Sequence, residues 1–342
     1  MSRRAPSPVD GQQLVLLFGM PRSGTTWLGK LFDSHPHVLY CHEPDHRRVF
    51  ADPDTADAVD RYRAELQTFV AELPALQSLR VAGKRPIFRK AFMSELGFQA
   101  TRLSTEVARA GSRVYSSFPI VVHHSGGDDP ERRVVWKSIQ SLTTLAPTLA
   151  ALEKARGIHI LRHPCGYIAS MLRGVNLKTF SDNSSIAWLA YASARKAAGT
   201  PLGDRFGLGD DHEQMIGGLT PEEQLAWHWV LTNEKARTEA GESGRYLRVC
   251  YEDVCRDPLA GVQSMFEFAG LDMTDQTRNF IAESTGSTQS DYYSVYKSPL
   301  KAAWRWREEL DDQTVARVMA IAGRSVLGAE YAQMIPPEDG SS

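Results

Sequence analysis

Leu14-Val15-Leu16-Leu17-Phe18-Gly19-Met20-Pro21-Arg22-Ser23-Gly24-Thr25-Thr26-Trp27-Leu28 is the stretch on which the reading of this chain turns. Its first five residues form a continuous apolar run. Such a run suits a strand buried on both faces of a parallel sheet. Gly19 to Gly24 reads as a turn and Thr25 to Ser34 as a helix. His35-Pro36 ends that helix, because proline disfavours helical backbone in the residue before it. Gly19 to Thr26 has the spacing G-x-x-x-x-G-x-[ST] between a strand and a helix, the context of a phosphate loop. Its glycines let backbone N–H groups curl inward, and the helix N-terminus adds partial positive charge. Thr25 and Thr26 add hydroxyl donors.

One departure narrows this. A nucleoside-triphosphate loop carries lysine after its second glycine; here that place holds Thr25, and the cation comes earlier, at Arg22. Without that lysine a triphosphate-and-magnesium enzyme would be crippled. The loop is built for a smaller anionic group.

Further runs extend the pattern. Val134-Val135-Trp136, Ile158-His159-Ile160-Leu161 and Tyr246 to Tyr251 read as strands. Leu142, Leu145, Leu149 and Leu152 recur at helical spacing, and a helix opens at Pro164 and runs to Arg173. Asp257-Pro258 is an N-cap and first turn, with Gly270 the stop. Another helix starts at Thr220, where Glu223 completes a capping box, and a last one spans about Asp312 to Ala322. Strands alternating with helices predict an α/β fold with a parallel sheet covered on both faces. The expected layout is a loose tail over 1–13, one domain over 14–330 and a second tail over 331–342. Stretches at about 50–133 and 174–219 interrupt the alternation. They read as helical and loop insertions forming an acceptor-binding lid over one end of the sheet. The first contains an amphipathic helix through Tyr62, Leu66, Phe69, Val70 and Leu73; the second is rich in Gly, Ser and Asp.

Composition sets the bounds. The 342 residues carry a formal net charge of −2, which argues against nucleic acid or an anionic membrane as partner. No apolar run reaches the length of a membrane span. The start, Met1 to Gln13, lacks an apolar signal core. Cys41, Cys165, Cys250 and Cys255 form no CxxC pair, so a reducing, cytoplasmic setting is expected.

Pro21-Arg22-Ser23-Gly24-Thr25-Thr26-Trp27-Leu28 resembles the 5'-phosphosulfate loop of the sulfotransferase family, P-[KR]-[ST]-G-[ST]-[ST] after the first strand. The resemblance covers about residues 14–50, 134–175 and 245–310 and implies a P-loop-type sheet. It also implies a donor, 3'-phosphoadenosine 5'-phosphosulfate, with 3'-phosphoadenosine 5'-phosphate as product. Donor contacts would then come from Arg22, Ser23, Gly24, Thr25, Thr26 and Trp27. The family's second anion site is an arginine at a strand end with a serine eight residues on; Arg162 and Ser170 match it. Arginine suits this role because its guanidinium binds phosphate bidentately. Tyr251 matches the family's adenine contact. Lys297 stands where a basic loop closes over the 3'-phosphate, although the R-K-G-x-x-G-x-W pattern of the cytosolic branch is absent.

Sulfonate transfer needs a base for the acceptor hydroxyl, positive charge on the leaving oxygen and an in-line arrangement. The cytosolic branch uses the histidine of K-T-H; here Lys137-Ser138-Ile139 keeps the lysine and loses the histidine. The carbohydrate and tyrosylprotein branches use a glutamate after the first helix, and Glu43 resembles it. Glu43 is therefore the expected base, with its pKa raised by partial burial, and His42 is its competitor. Lys137 and Arg22 would stabilise the leaving phosphate. The cluster His35, His37, Cys41, His42, Asp45 and His46 lacks zinc spacing, and no metal is expected. The expected acceptor is a hydroxyl on a small molecule, glycan or lipid. The alternatives are a phosphoryl transferase of the kinase type and an inactive nucleotide-binding module.

Overall fold

A computed structural model describes residues 14–53, 56–76, 78–111, 129, 131–176, 183–286 and 299–334. Five strands form its sheet: β1 (Leu14–Gly19), β2 (Val38–His42), β3 (Arg133–Ser138), β4 (Arg156–Leu161) and β5 (Tyr246–Cys250). They run in the order β2-β3-β1-β4-β5, and every neighbouring pair is parallel. The apolar run of β1 behaves as its composition demands. Leu14, Leu16 and Phe18 join one hydrophobic cluster, Val15 and Leu17 the other, and none is more than 1% exposed. Strand periodicity sends alternate side chains to opposite faces, so such a run fits only a covered sheet.

β2 escapes the sequence pattern. Val38 to His42 is short and ends in polar residues, yet all five are buried. Pairing with β3 makes it a strand, and the register sets His42 opposite Lys137. The fourth expected strand stops one residue early, because Tyr251 opens a helix, Tyr251–Arg256.

The insertions are more than a lid. In the first, the helix Ala56–Glu72 buries Tyr62, Leu66, Phe69 and Val70 in the cluster that holds Leu14, Leu16 and Phe18. The Tyr62 hydroxyl lies 2.7 Å from Thr148 Oγ1. It is thus a layer of the core. The described part of the second insertion is largely helical: Asn183–Ala197, Pro201–Phe206 and His212–Gly217. Its Gly and Thr residues serve helix ends: Thr200 caps one helix and Gly207 stops it at φ 70°. The helix Pro221–Ala240 starts at Thr220 with its capping box and packs on Asn183–Ala197 and Asp312–Ala322. Asp257 and Gly270 cap the helix Pro258–Ala269 as read. Among the described residues no helix is long and apolar enough to cross a membrane.

Candidate active site

The loop after β1 sits where the strand order turns, since β1 lies between β3 and β4. Ligands of open α/β sheets bind at that point, beyond the carboxyl ends of the strands. Gly24 has φ 81°, and a Cβ there would lie 2.2 Å from the Tyr251 ring. Both facts require glycine. Arg22 holds φ 68°, a conformation that costs a non-glycine residue about 1–2 kcal/mol. Such strain is characteristic of sites where the chain must aim a group.

Three of the expected donor contacts meet here. Arg22 Nε donates to Ser170 Oγ at 3.0 Å, and Arg162 Nη1 donates to Arg22 O at 2.7 Å. Arg162 Nη2 donates to Ala302 O at 2.7 Å, while its Nε is buried without a hydrogen-bond partner among the described residues. Glu252 helps hold this corner: its Oε1 accepts from His163 N at 2.9 Å, and its Oε2 accepts from the Tyr331 hydroxyl. Glu252 is thus committed to the backbone beside Arg162.

Other expected contacts are placed differently. Trp27 turns inward, 7% exposed, with Nε1 donating to Ser284 Oγ. Only its backbone remains for a donor. The ring of Tyr251 is buried between Gly24, Trp27 and Arg162, whose guanidinium lies 5.2 Å from the ring centroid. It forms the floor of the loop. Ser23 and Thr25 are buried and Thr26 is half-buried. Lys297 lies outside the described residues. The helix Pro299–Trp304 that follows it reaches Arg162 through Ala302 O, and Trp306 stacks on His163 with ring centroids 4.5 Å apart.

Glu43 follows β2 directly, and its N–H donates to Lys137 O at 2.8 Å, extending the β2–β3 ladder. It too has positive φ, 46°. Its Oε1 lies 2.6 Å from Lys137 Nζ and its Oε2 3.0 Å from Arg80 Nη1. Burial pushes its pKa up, but Lys137, Arg80 and Lys84 outweigh this, and the net direction is down. The expectation of a raised pKa is therefore corrected: Lys137 of β3, helped by Arg80 and Lys84 of the first insertion, holds the carboxylate ionised. Burial lowers the pKa of Lys137 despite its pairing with Glu43.

His42 is 2% exposed, with Nδ1 2.8 Å from the Tyr40 hydroxyl. Burial holds it far below the ordinary histidine range. The open side of this turn presents Glu43 and His46 instead. They line a cleft of about 480 Å³ with Met20 and Pro21 of the loop. His46, not His42, is the histidine that lines this cleft. The remaining members of the apparent metal cluster go separate ways. His35 Nε2 lies 3.0 Å from Asp272 O, His37 pairs with Asp129, and Asp45 binds Ser138 and Ser141.

A family model described as "Sulfotransferase family" matches residues 15–199, more than half of the chain. This chain belongs to the sulfotransferase family. It resembles human carbohydrate sulfotransferase 2, with 25% identity over 96% of this chain and 67% of that protein. Mouse carbohydrate sulfotransferase 3 is 36% identical over 34% of this chain and 24% of its own length. Among solved structures, mouse sulfotransferase SULT7A1 complexed with PAP aligns with TM-score 0.47 and 11% identity, covering 95% of this chain and 89% of that one.

As a sulfotransferase the chain uses 3'-phosphoadenosine 5'-phosphosulfate as donor and releases 3'-phosphoadenosine 5'-phosphate. The phosphoryl-transfer alternative is not favoured, and neither is an inactive module. Arg80 and Lys84 are neighbours of Glu43 that the sequence pattern does not single out. They lie in and just after the short helix Leu79–Ala82, and no motif marks them. A run of alternating cations, Arg80, Lys84, Arg85, Arg89 and Lys90, was the signal that could have raised them.

Proposed function

We propose that Glu43 is the general base, that Lys137 and Arg22 stabilise the leaving phosphate, and that Arg162 with Ser170 holds the ribose 3'-phosphate. The observation that carries this reading is the position of two clusters at the carboxyl ends of neighbouring strands. Glu43 and Lys137 meet beyond β2 and β3, and Arg22, Ser170 and Arg162 meet beyond β1 and β4. Ser23, Gly24, Thr25 and Thr26 supply the loop's N–H and hydroxyl donors. The unpartnered Arg162 Nε and the loop's positive φ angles fit an anionic ligand.

Glu43 faces the cleft as a carboxylate, ready to take the acceptor's hydroxyl proton. A lowered pKa makes it a weak base toward a resting alcohol. The alcohol oxygen becomes strongly acidic as it bonds to sulfur, so the transfer is favourable in the transition state. Lys137 has three N–H donors; one binds Glu43, and the others remain for the departing phosphate oxygen. Paired in this way, a positive and a negative group sit where bond making and bond breaking need them.

The relatives' names supply one acceptor class, carbohydrate, within the broader class of hydroxyl compounds. The base assignment is tested with Glu43→Gln on acceptors of graded acidity. If Glu43 is the base, the loss of rate shrinks steadily from alkyl alcohols to phenols. A loss that is the same for every acceptor reduces Glu43 to a structural role.

A further inference from the structure

Beside Glu43 the cleft is walled from several directions. Met20 and Pro21 come from the loop, Leu142 from the segment after β3, Leu189 and Ala192 from the helix Asn183–Ala197, and Leu231 from the helix Pro221–Ala240. Its volume of about 480 Å³ falls within the range of roughly 300–1,000 Å³ usual for small-molecule sites. At its side stands Trp188, 67% exposed, a large apolar surface that a second apolar body would cover.

Most of the surface these walls present is apolar, and several of the polar groups among them are already engaged; Thr143, Lys196 and Lys235 stand there as well, Lys235 paired with Glu239. Gln140 Nε2 donates to Asp45 O at 2.6 Å. The Ser193 hydroxyl donates its proton to Leu189 O at 2.8 Å, so toward His228 Nδ1, 2.5 Å away, it can only accept. Thr232 Oγ1 lies 3.3 Å from the same nitrogen. Nδ1 therefore carries the hydrogen of His228, and Nε2 is left as a bare acceptor. Burial lowers the His228 pKa to about 4, so the ring stays neutral at pH 7.

We propose that the acceptor is an alcohol on a predominantly apolar body, with at most one further polar group, which donates to His228 Nε2. This rests on Glu43 being the base that opens onto the cleft. The reason is desolvation. A sugar carries a hydroxyl on almost every carbon, and each one buried without a partner costs about 1–3 kcal/mol. Walls whose surface is mostly leucine, alanine, methionine and proline return few of those hydrogen bonds. They gain instead from apolar contact, at roughly 25 cal/mol per Å² removed from water. The carbohydrate in the relatives' names does not match these walls.

The test compares 1-decanol and N-acetylglucosamine as acceptors for the full chain supplied with 3'-phosphoadenosine 5'-phosphosulfate. Product is read by mass spectrometry as the gain of one sulfonate. The expected kcat/KM for 1-decanol exceeds that for N-acetylglucosamine at least 100-fold. Ala192→Phe, which fills the cleft from a partly exposed helix position, raises KM for 1-decanol about tenfold and leaves binding of 3'-phosphoadenosine 5'-phosphate unchanged. His228→Phe, which keeps the ring and removes the acceptor nitrogen, lowers the preference for 1,10-decanediol over 1-decanol about fivefold. Equal or better use of the sugar, or use of neither compound, overturns the proposal. Failure of the parent reading looks different: Glu43→Gln would then be as active as the wild type on whichever acceptor works.

Discussion

Arg22, Ser170 and Arg162 on the donor side and Leu189, Ala192 and Leu231 on the acceptor side flank the same loop, yet they are built on different terms. The donor cradle hangs from β1 and β4 and from the turns that leave them, and its arginines bind Ser170 and the loop backbone. The proposed acceptor cleft is assembled by helices of an insertion and a long capped helix, and most of its surface is apolar. In the proposed reading, one side is an electrostatic socket for the nucleotide and the other a largely apolar wall that selects the acceptor. Glu43 stands between them, strained at φ 46° and gripped by cations from both sides.

The comparison is broken most severely at Glu43. Glu43→Gln lowers kcat by about 10³-fold, within the span expected for loss of a general base, while the affinity for 3'-phosphoadenosine 5'-phosphate stays within about twofold. Single-turnover kinetics and calorimetry give both numbers. Equal losses in the two would erase the division between donor and acceptor sides.

Arg162→Ala weakens 3'-phosphoadenosine 5'-phosphate by about 30-fold, since hydrogen bonds to charged groups contribute roughly 1.5–3 kcal/mol. Adenosine 5'-phosphate, which lacks the 3'-group, weakens by less than about threefold. If the two nucleotides suffer alike, Arg162 merely braces Arg22 O and Ala302 O.

A smaller effect is expected at Ser170. Ser170→Ala removes the hydroxyl that accepts from Arg22 Nε, and nucleotide binding falls about fivefold, as for one ordinary hydrogen bond. Acceptor KM is unmoved. A change in KM alone would place Ser170 on the wrong side of the comparison.

The smallest expected change is in pH. Burial raises the Glu43 pKa, but Lys137, Arg80 and Lys84 bring it below the usual value, so Glu43 is already a carboxylate at neutral pH. The kcat/KM profile should stay flat from pH 7 down to about pH 5, above the ordinary glutamate pKa. Stability follows the same sign: the pairing of Glu43 contributes fully above its unfolded pKa and is lost as pH falls through the lower folded one. An inflection below the ordinary histidine value would point to His46, whose pKa is brought down by burial, Arg80 and Arg47, since His42 is buried and held neutral.

Much of the sheet and the donor loop could be read from the chain because their causes are local. A strand buried on two faces must be apolar throughout, and a loop that curls around an anion must have glycine at Gly24. The capping residues Thr220 with Glu223, and Asp257 with Gly270, are equally local, and they mark helix ends that the structure keeps. The parts that could not be read depend on partners far along the chain. β2 is a strand because β3 lies beside it. Trp27 faces Ser284, and Tyr251 floors the loop, because helices later in the chain close over them.

The sequence alone determined the class of fold, the position of the phosphate loop, and the residue types able to bind two anions and take a proton. Spacing along one strand, turn and helix carries that information, because backbone geometry ties neighbours together. Only the tertiary structure decided that Glu43 is an ionised partner of Lys137 and Arg80, and that His42 is sealed while His46 is open. It also decided that the cleft beside Glu43 has a largely apolar surface. Each of these depends on burial and on charges that approach across tens to hundreds of residues, and no local pattern encodes such distances.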